Sequence, residues 1–344
     1  VASILVHGKA FTEQQIRESV LSDKRLKPGF HPPVELTPGE MELLKQVNAP
    51  PEVGSALRNL ALGRRSGVIG WKELARDPDA ALRDRKLRIL DGGNSRLALA
   101  DVNGFAGVVS WYDTVSRREL LSAENRFFRL NFKVDGQTFE LDPLEPQVVS
   151  ELISPPVESD GVQRFVIGYR HEPEEACPVR FTATSRFCFG CDRLEYDLSV
   201  DDSTPETRIS QVVFPAMLFQ PLTHGSDVML VPQMSGVEMP EAVKRNACYT
   251  SFYPRGNAFA PMGAYYDHET GIYCAAEDPI ARPKELEFSA GFAGCEFNFK
   301  WTPDYESPEK PNSFHPGCNA AAELFRGNWY DTGTIYRRQL GKIN

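Results

Sequence analysis

Five consecutive residues, Tyr253-Pro254-Arg255-Gly256-Asn257, set an aromatic ring, a cation and an amide on a Pro/Gly loop between strand-like stretches. That mix recognises hydroxyl groups, because a ring can stack while a guanidinium and an amide hydrogen-bond. The same residues also suit a plain structural turn. Tyr253, Arg255 and Asn257 are therefore candidate ligand-binding residues with a structural alternative. Trp111-Tyr112-Asp113 is a candidate stacking platform, as is the aromatic-rich stretch holding Phe252, Tyr253, Phe259, Tyr265 and Tyr266. A tryptophan at a strand end, as Trp111 is, more often serves as core or a turn lid than as a platform.

Other chemistry has weaker signals. The seven cysteines (Cys177, Cys188, Cys191, Cys248, Cys274, Cys295 and Cys318) are odd in number and irregular in spacing, so they define no disulfide framework. Cys188-Phe-Gly-Cys191 is the one close pair, but a metal knuckle needs two more ligands and no second CxxC or HxxxH accompanies it. Cys188 also continues a strand pattern, which makes plain buried or edge thiols the expectation. His171, His224, His268 and His315 are available as general acids. His171 in YRHEPEE and His268 in YDHETG read as surface-turn histidines. No Gly-rich phosphate loop, zinc signature or nucleophile elbow is present, so neither cofactor nor metal is expected, with calcium on surface carboxylates left open.

The elements that must position these residues fall into two grammars. Residues 1–85 read as a small helical linker region. Thr12 caps FTEQQIRESVLS, Thr37 caps LTPGEMELLKQVN with Glu40 at the capping-box position, and WKELARDPDAALRDRKL continues the mode as far as Pro78. Only SILVHG suggests a strand there. From 86 onward the period is two. Phe128, Leu130, Phe132 and Val134 alternate with polar residues, as do Phe181, Ala183, Ser185 and Phe187; Leu194, Tyr196, Leu198 and Val200; and Phe297, Phe299 and Trp301. Such runs mark antiparallel strands with one face buried and one wet. Turn clusters such as DGGNS, VDGQ and DHETG separate them, and well over ten strands fit before 301. A large antiparallel two-sheet sandwich over 86–305 accounts for so many strands without a fixed repeat. The remainder, 306–344, reads as a linker and a helix. Asn328 caps that helix, and Trp329, Tyr336 and Leu340 share one face.

Composition bounds the partners. Apolar residues make up 41% of the 344-residue chain, and 21 Phe and 11 Tyr supply large areas for a core. The net charge of −9, with 38 basic residues scattered along the chain, argues against nucleic acid and gives no reason to invoke an anionic membrane. No run approaches the roughly 18 apolar residues of a membrane span. VASILVHG lacks the basic start and long apolar run of a signal peptide, and the N-terminus reads as a cut.

The order of motifs resembles the galactose-mutarotase-like supersandwich of multidomain glycoside-hydrolase-like proteins, with more distant similarity to α-galactosidases and endo-α-N-acetylgalactosaminidases. LALADVNGFAGVVSWYDTVSRRELL resembles the opening of that domain. DRLEYDLSVDDSTPETRISQVVFPAMLF followed by DVMLVPQMSG, and YPRGNAFAPMGAYYDHETGIYCAAEDP, are similar to its middle. FRGNWYDTGTIYRRQL looks like the connection to a catalytic (β/α)8 barrel. The resemblance covers roughly 86–340, and its short motifs are made specific by their order.

That resemblance implies a carbohydrate partner, and a barrel domain of the same parent chain as a second one. Glycoside hydrolysis needs two carboxylates roughly 5–9.5 Å apart across a sugar. In barrel enzymes both come from barrel strand ends, so the catalytic pair is expected to be absent here and this chain non-catalytic by itself. The resemblance also implies that a sandwich loop borders the barrel's sugar site, where Asp278 of Asp278-Pro279 joins Tyr253, Arg255 and Asn257; an ordinary strand-ending turn is the other reading. Trp329 and Tyr336 become the domain junction. The parent is expected to be secreted or periplasmic. A self-contained carbohydrate-binding module or an aldose epimerase is the alternative, although the epimerase signature Asn-His-x-Tyr-Phe is missing.

Overall fold

A computed structural model of the chain describes residues 3–6, 9–12 and 87–343, apart from 103–104, 146, 203–206, 223–225 and 304–312. Strands β1 (Ser3–Val6) and β2 (Lys9–Thr12) pair as an antiparallel hairpin. The strand read in SILVHG is thus Ser3–Val6, while Phe11 and Thr12, read at a helix start, belong to β2. The helical readings over 13–85 lie outside the described residues.

Beyond residue 86 the period-two pattern becomes strands, and three sheets form. A meander of β3 (Leu87–Asp91), β4 (Ser95–Val102), β5 (Phe105–Asp113) and β6 (Arg118–Glu119) makes the smallest. A six-stranded sheet runs in the order β17 (Cys248–Tyr253), β20 (Lys284–Gly291), β21 (Gly294–Trp301), β14 (Arg208–Phe219), β7 (Phe127–Val134) and β8 (Gln137–Leu141).

The largest sheet has eleven strands. Its path is β16 (Val237–Pro240), β15 (Val228–Val231), β18 (Met262–Tyr266), β19 (Gly271–Glu277), β23 (Asn319–Phe325), β12 (Arg193–Tyr196), β11 (Phe181–Gly190), β10 (Val162–His171) and β9 (Val149–Ser159). Off that path, β13 (Ser199–Asp202) pairs with β11 and with β22 (Ser313–Phe314). The chain is a large antiparallel sandwich, as the alternation predicts.

The core lies between the six- and eleven-stranded sheets. Rings interlock across it: Phe128 meets Tyr169 at 5.0 Å between centroids, and Phe132 meets Phe181 at 5.6 Å. Truncating a ring in such a place costs about 3–5 kcal/mol. Trp111 belongs to the same core, fully buried and edge-on to Phe189 at 6.4 Å, so it is no platform.

One expectation needs correction. The sandwich does not stop at 305, because β23 lies in the middle of the large sheet between β19 and β12. Its sequence, NAAAELF, is rich in good helix formers and has no β-branched residue, so local propensity hides a strand that tertiary pairing imposes. The small side chains of Ala320 and Ala322 meet the crowded core face.

Helix α1 (Ala242–Arg245) is a single turn, and α2 (Trp329–Ile343) is the helix expected near the end of the chain. Asn328 caps α2 through its side chain, accepting from the Tyr330 N–H at 2.9 Å, while Asp331 accepts from the Asn328 N–H at 3.0 Å. Gly327 leads into this box at φ +130°, where an added Cβ would run into the Asp331 carboxylate. The buried side of α2 holds Thr332, Ile335 and Gln339, with Tyr336 half-buried beside them; Trp329 and Leu340 are exposed. Of the shared Trp329–Tyr336–Leu340 stripe, Tyr336 thus packs toward the sheet, and Trp329 and Leu340 face outward. Ile335 and Tyr336 pack into an apolar cluster with Leu230, Met262, Tyr266, Tyr273 and Phe325, and the Arg338–Glu323 pair lies beside it.

Candidate functional site

The four candidate ligand-binding residues collect at one rim of the sandwich and divide there into two pairs. Tyr253 ends β17 and pairs with Lys284, the first residue of β20. The Lys284 side chain is fully buried. Its ammonium lies 2.9 Å from Asp278 Oδ2, donates to the Arg282 carbonyl at 2.5 Å, and sits 4.3 Å from the Trp301 ring centroid and 5.0 Å from that of Tyr253. Asp278 also accepts from Arg282 Nη1 at 3.0 Å and from the Arg282 N–H at 2.6 Å. Burial, and then the nearby Asp278 charge, push the Tyr253 hydroxyl up from its ordinary range. Tyr253 and Asp278 are thus brought together, but around a lysine that occupies them both.

Arg255 and Asn257 are the exposed pair. Their loop is tied to the hairpin loop at 232–236: the Met234 N–H donates to the Asn257 carbonyl and the Phe259 N–H to the Pro232 carbonyl, each at 2.9 Å. The Asn257 N–H donates in turn to Ser251 Oγ at 3.1 Å. Phe259 and Met234 are exposed on the same two loops, and Phe252 is exposed near the end of β17. The backbone is fixed here while the side chains are offered to solvent.

A second cluster, next to the rim, was not distinguishable in a sequence with 47 acidic residues. Strand register sets Tyr273, Glu323 and Arg193 side by side across β19, β23 and β12, on the face of the large sheet turned away from the core. Arg193 is the hub. Its Nη1 lies 2.8 Å from Glu323, and its Nη2 and Nε lie 2.5 Å from Glu277 and Glu195 respectively. Arg338 of α2 also reaches Glu323. Burial works against the Arg193 cation, but Glu277 and Glu195 outweigh it and hold the guanidinium above its ordinary range. Each carboxylate is engaged by a guanidinium, and its remaining lone pairs are hydrogen-bond acceptors.

Tyrosines connect the two clusters. Burial, then Glu277, pushes the Tyr273 hydroxyl well up, and the Arg193 charge offsets this in part. Burial, then the nearby Tyr253, pushes the Tyr336 hydroxyl up to about 12. Two buried polar atoms beneath and on α2 have no hydrogen-bond partner: Tyr273 Oη and Gln339 Nε2. Leaving such a group unpaired costs about 1–3 kcal/mol.

The remaining candidates lie elsewhere. His171 is buried in the core, with its ring 2.8 Å from the Val179 carbonyl and stacked on Phe181. His268 and His315 sit on exposed turns near Glu269 and Asp201, and His224 falls outside the described residues. All seven cysteines are free, Cys188 and Cys191 included. Among the described residues no group of three or more His, Cys, Asp or Glu is placed to hold a metal, and no helix is long and apolar enough to cross a membrane.

No family model matches the chain, and no curated protein matches it. Solved structures do. The α-N-acetylgalactosaminidase NagBb from Bifidobacterium bifidum, in complex with GalNAc, superposes with a TM-score of 0.51 at 11% identity, over 74% of this chain and 38% of that one. Its quadruple mutant gives 0.50 at 10% identity. The GH36 α-galactosidase AgaA from Geobacillus stearothermophilus, in complex with stachyose, gives 0.47 at 10% identity, over 74% of this chain and 42% of that one. The chain spans less than half the length of either enzyme. At such identities the likeness is one of fold, and that fold is the galactose-mutarotase-like supersandwich.

Proposed function

We propose that this chain is the sandwich portion of a carbohydrate-active enzyme, non-catalytic by itself, whose rim loops border a sugar site completed by a barrel domain of the same parent protein. One observation carries this: Arg255, Asn257, Phe259 and Met234 are exposed on two loops that backbone hydrogen bonds tie together, with Phe252 exposed at the end of β17 beside them. A fixed loop offering rings, a guanidinium and an amide can meet a sugar's apolar face and its hydroxyls together. Likeness of fold to an α-N-acetylgalactosaminidase, of which this chain covers 38%, supports both the carbohydrate and the larger enzyme. Trp329 and Tyr330, exposed on α2, would seat the further domain, while Tyr336 anchors the helix to the sheet. The carboxylates placed near the rim do not form a free pair: Glu195, Glu277 and Glu323 bind guanidinia, and Asp278 binds Lys284 and Arg282. The hydrolytic pair is therefore assigned to the further domain.

The test is direct. The purified chain should release no aryl alcohol from aryl α-galactosides or aryl α-N-acetylgalactosaminides. It should be retarded in affinity gels containing galactose-bearing polysaccharide, and Asn257→Ala with Phe259→Ala should abolish the retardation. Aryl release, or retardation indifferent to both substitutions, overturns the reading. An epimerase would place a histidine acid beside a carboxylate base, which none of the three described histidines does at this rim; polarimetry should accordingly show no faster mutarotation of glucose or galactose.

A further inference from the structure

The two tied loops at the rim form a short ribbon whose register sorts their side chains. Gln233 bridges Ala258 antiparallel, and the bonds from the Met234 and Phe259 N–H groups close the ladder on either side. Side chains alternate across such a ribbon, so Met234, Asn257 and Phe259 share one face and Gln233 and Ala258 the other. Ala258 is buried, which turns the first face to solvent.

Met234 is the unusual member of that face. It sits at φ +52° in the tight turn that the Gly236 N–H closes on the Gln233 carbonyl, a left-handed position that suits glycine and strains a methionine. Its side chain is 76% exposed, so burial within this chain does not offset the strain. Charge is distributed as unusually. Residues 232–237 and 253–266 together hold one charged residue, Arg255, in a chain that is 25% charged with a net charge of −9. Arg180, Arg186 and Arg245, all exposed, each hold a carboxylate. Arg255 is equally exposed and has no ion pair among the described residues.

We propose that this face binds an acidic sugar, a glycosyl unit carrying a carboxylate or a sulfate, with Arg255 holding the anionic group. The inference rests on the carbohydrate reading above and names the class of ligand that the rim takes. A guanidinium meets an oxyanion through paired, charge-assisted N–H bonds, about twice as strong as those between neutral groups. No carboxylate in these two stretches competes for Arg255 or repels the anion. Phe259 and Met234 cover an apolar sugar face, and the Asn257 amide both donates to and accepts from hydroxyls.

The full chain is titrated calorimetrically, at physiological salt, with three probes. These are trigalacturonate, its methyl ester, which keeps the backbone and loses the charge, and a sulfated galactose trisaccharide. At least one acidic probe should bind about 5-fold or more tighter than the ester. A preference for trigalacturonate identifies the anion as a carboxylate, and a preference for the sulfated probe identifies it as a sulfate. Arg255→Gln should remove the preference and leave affinity for the ester within about 2-fold. Met234→Gly should weaken binding of every probe about 3-fold or more without lowering the melting temperature, since glycine suits that turn. Acidic probes that bind no tighter than the ester, or a preference that survives Arg255→Gln, overturn the acidic sugar. Unchanged binding in Met234→Gly overturns this face as its seat. Equal binding of all three probes that Asn257→Ala with Phe259→Ala abolishes removes this inference and leaves the proposed function standing. No binding of any probe, with no retardation in the galactose-bearing gels, overturns both.

Discussion

Glu277 and Asp278 are adjacent in sequence, yet their carboxylates enter clusters of different character. Asp278 joins Lys284, Arg282, Tyr253 and Trp301 in a group that closes on itself: the ammonium has a carboxylate, a carbonyl and two ring faces around it. Glu277 joins Arg193, Glu195, Glu323 and Arg338, where three carboxylates share two guanidinia and a neighbouring tyrosine hydroxyl is left over. Buried polar groups are costly unless satisfied. The closed cluster therefore reads as architecture holding the rim, while the outer one leaves a buried tyrosine hydroxyl unpaired. Three measurements can break or sharpen that contrast.

The largest effect is expected at Lys284. Lys284→Ala leaves Asp278 buried, with Arg282 as its one remaining cation, and removes the cation seated between Tyr253 and Trp301. Breaking a buried pair from one side costs about 3–5 kcal/mol. Denaturant titration should show a loss of that size. Lys284→Met, which keeps much of the volume but also abandons Asp278, should lose less in packing and still be destabilised. A loss below about 1 kcal/mol for the alanine variant would mean that this cluster is not the structural one.

Asp113 gives the next effect, through pH. Burial pushes its carboxyl up, but hydrogen bonds from Ser116, Thr270 and Arg326, together with the Arg326 charge, outweigh burial and hold it below the usual carboxylate range. A carboxyl lowered by folding stabilises the protein at pH above its unfolded value of about 4. That contribution is lost as pH falls through the folded value. Asp113→Asn should cost about 1.5–3 kcal/mol at neutral pH and flatten the acid limb of the stability profile. Because Arg326 immediately precedes Gly327 and the Asn328 cap, the same variant should speed amide exchange at the start of α2.

How far the sequence reaches is itself set by these physical differences. Period-two burial was legible wherever large apolar residues alternate with polar ones, as along β7 and β11, because both faces announce themselves. It failed at β23, where alanines fill a tight core face and local propensity favours helix. The rim loop was legible because Pro, Gly, Arg and Asn have specific uses in a turn. That Tyr253 and Asp278 would converge on Lys284 was not, since the contact depends on the register between β17 and β20. Of the Arg193 network, only Glu195 falls at a polar position of a run whose alternation is legible. Whether such a polar face meets water or a helix is decided by a segment more than a hundred residues away.

The smallest effect is the most discriminating, because it compares two buried tyrosines on the two faces of one sheet. Tyr196, on the core side, donates its hydroxyl to the Phe127 carbonyl at 3.1 Å. Tyr273, on the outer side, has no partner for its hydroxyl. Removing a satisfied buried hydroxyl strands its acceptor, so Tyr196→Phe should cost about 1 kcal/mol in equilibrium unfolding. Removing an unsatisfied one lifts a desolvation penalty, so Tyr273→Phe should be neutral or stabilising by up to about 1 kcal/mol. The sign of the difference is what matters. If Tyr273→Phe destabilised the protein as much as Tyr196→Phe, the hydroxyl would already be satisfied, and the outer cluster would be as closed as the one around Lys284.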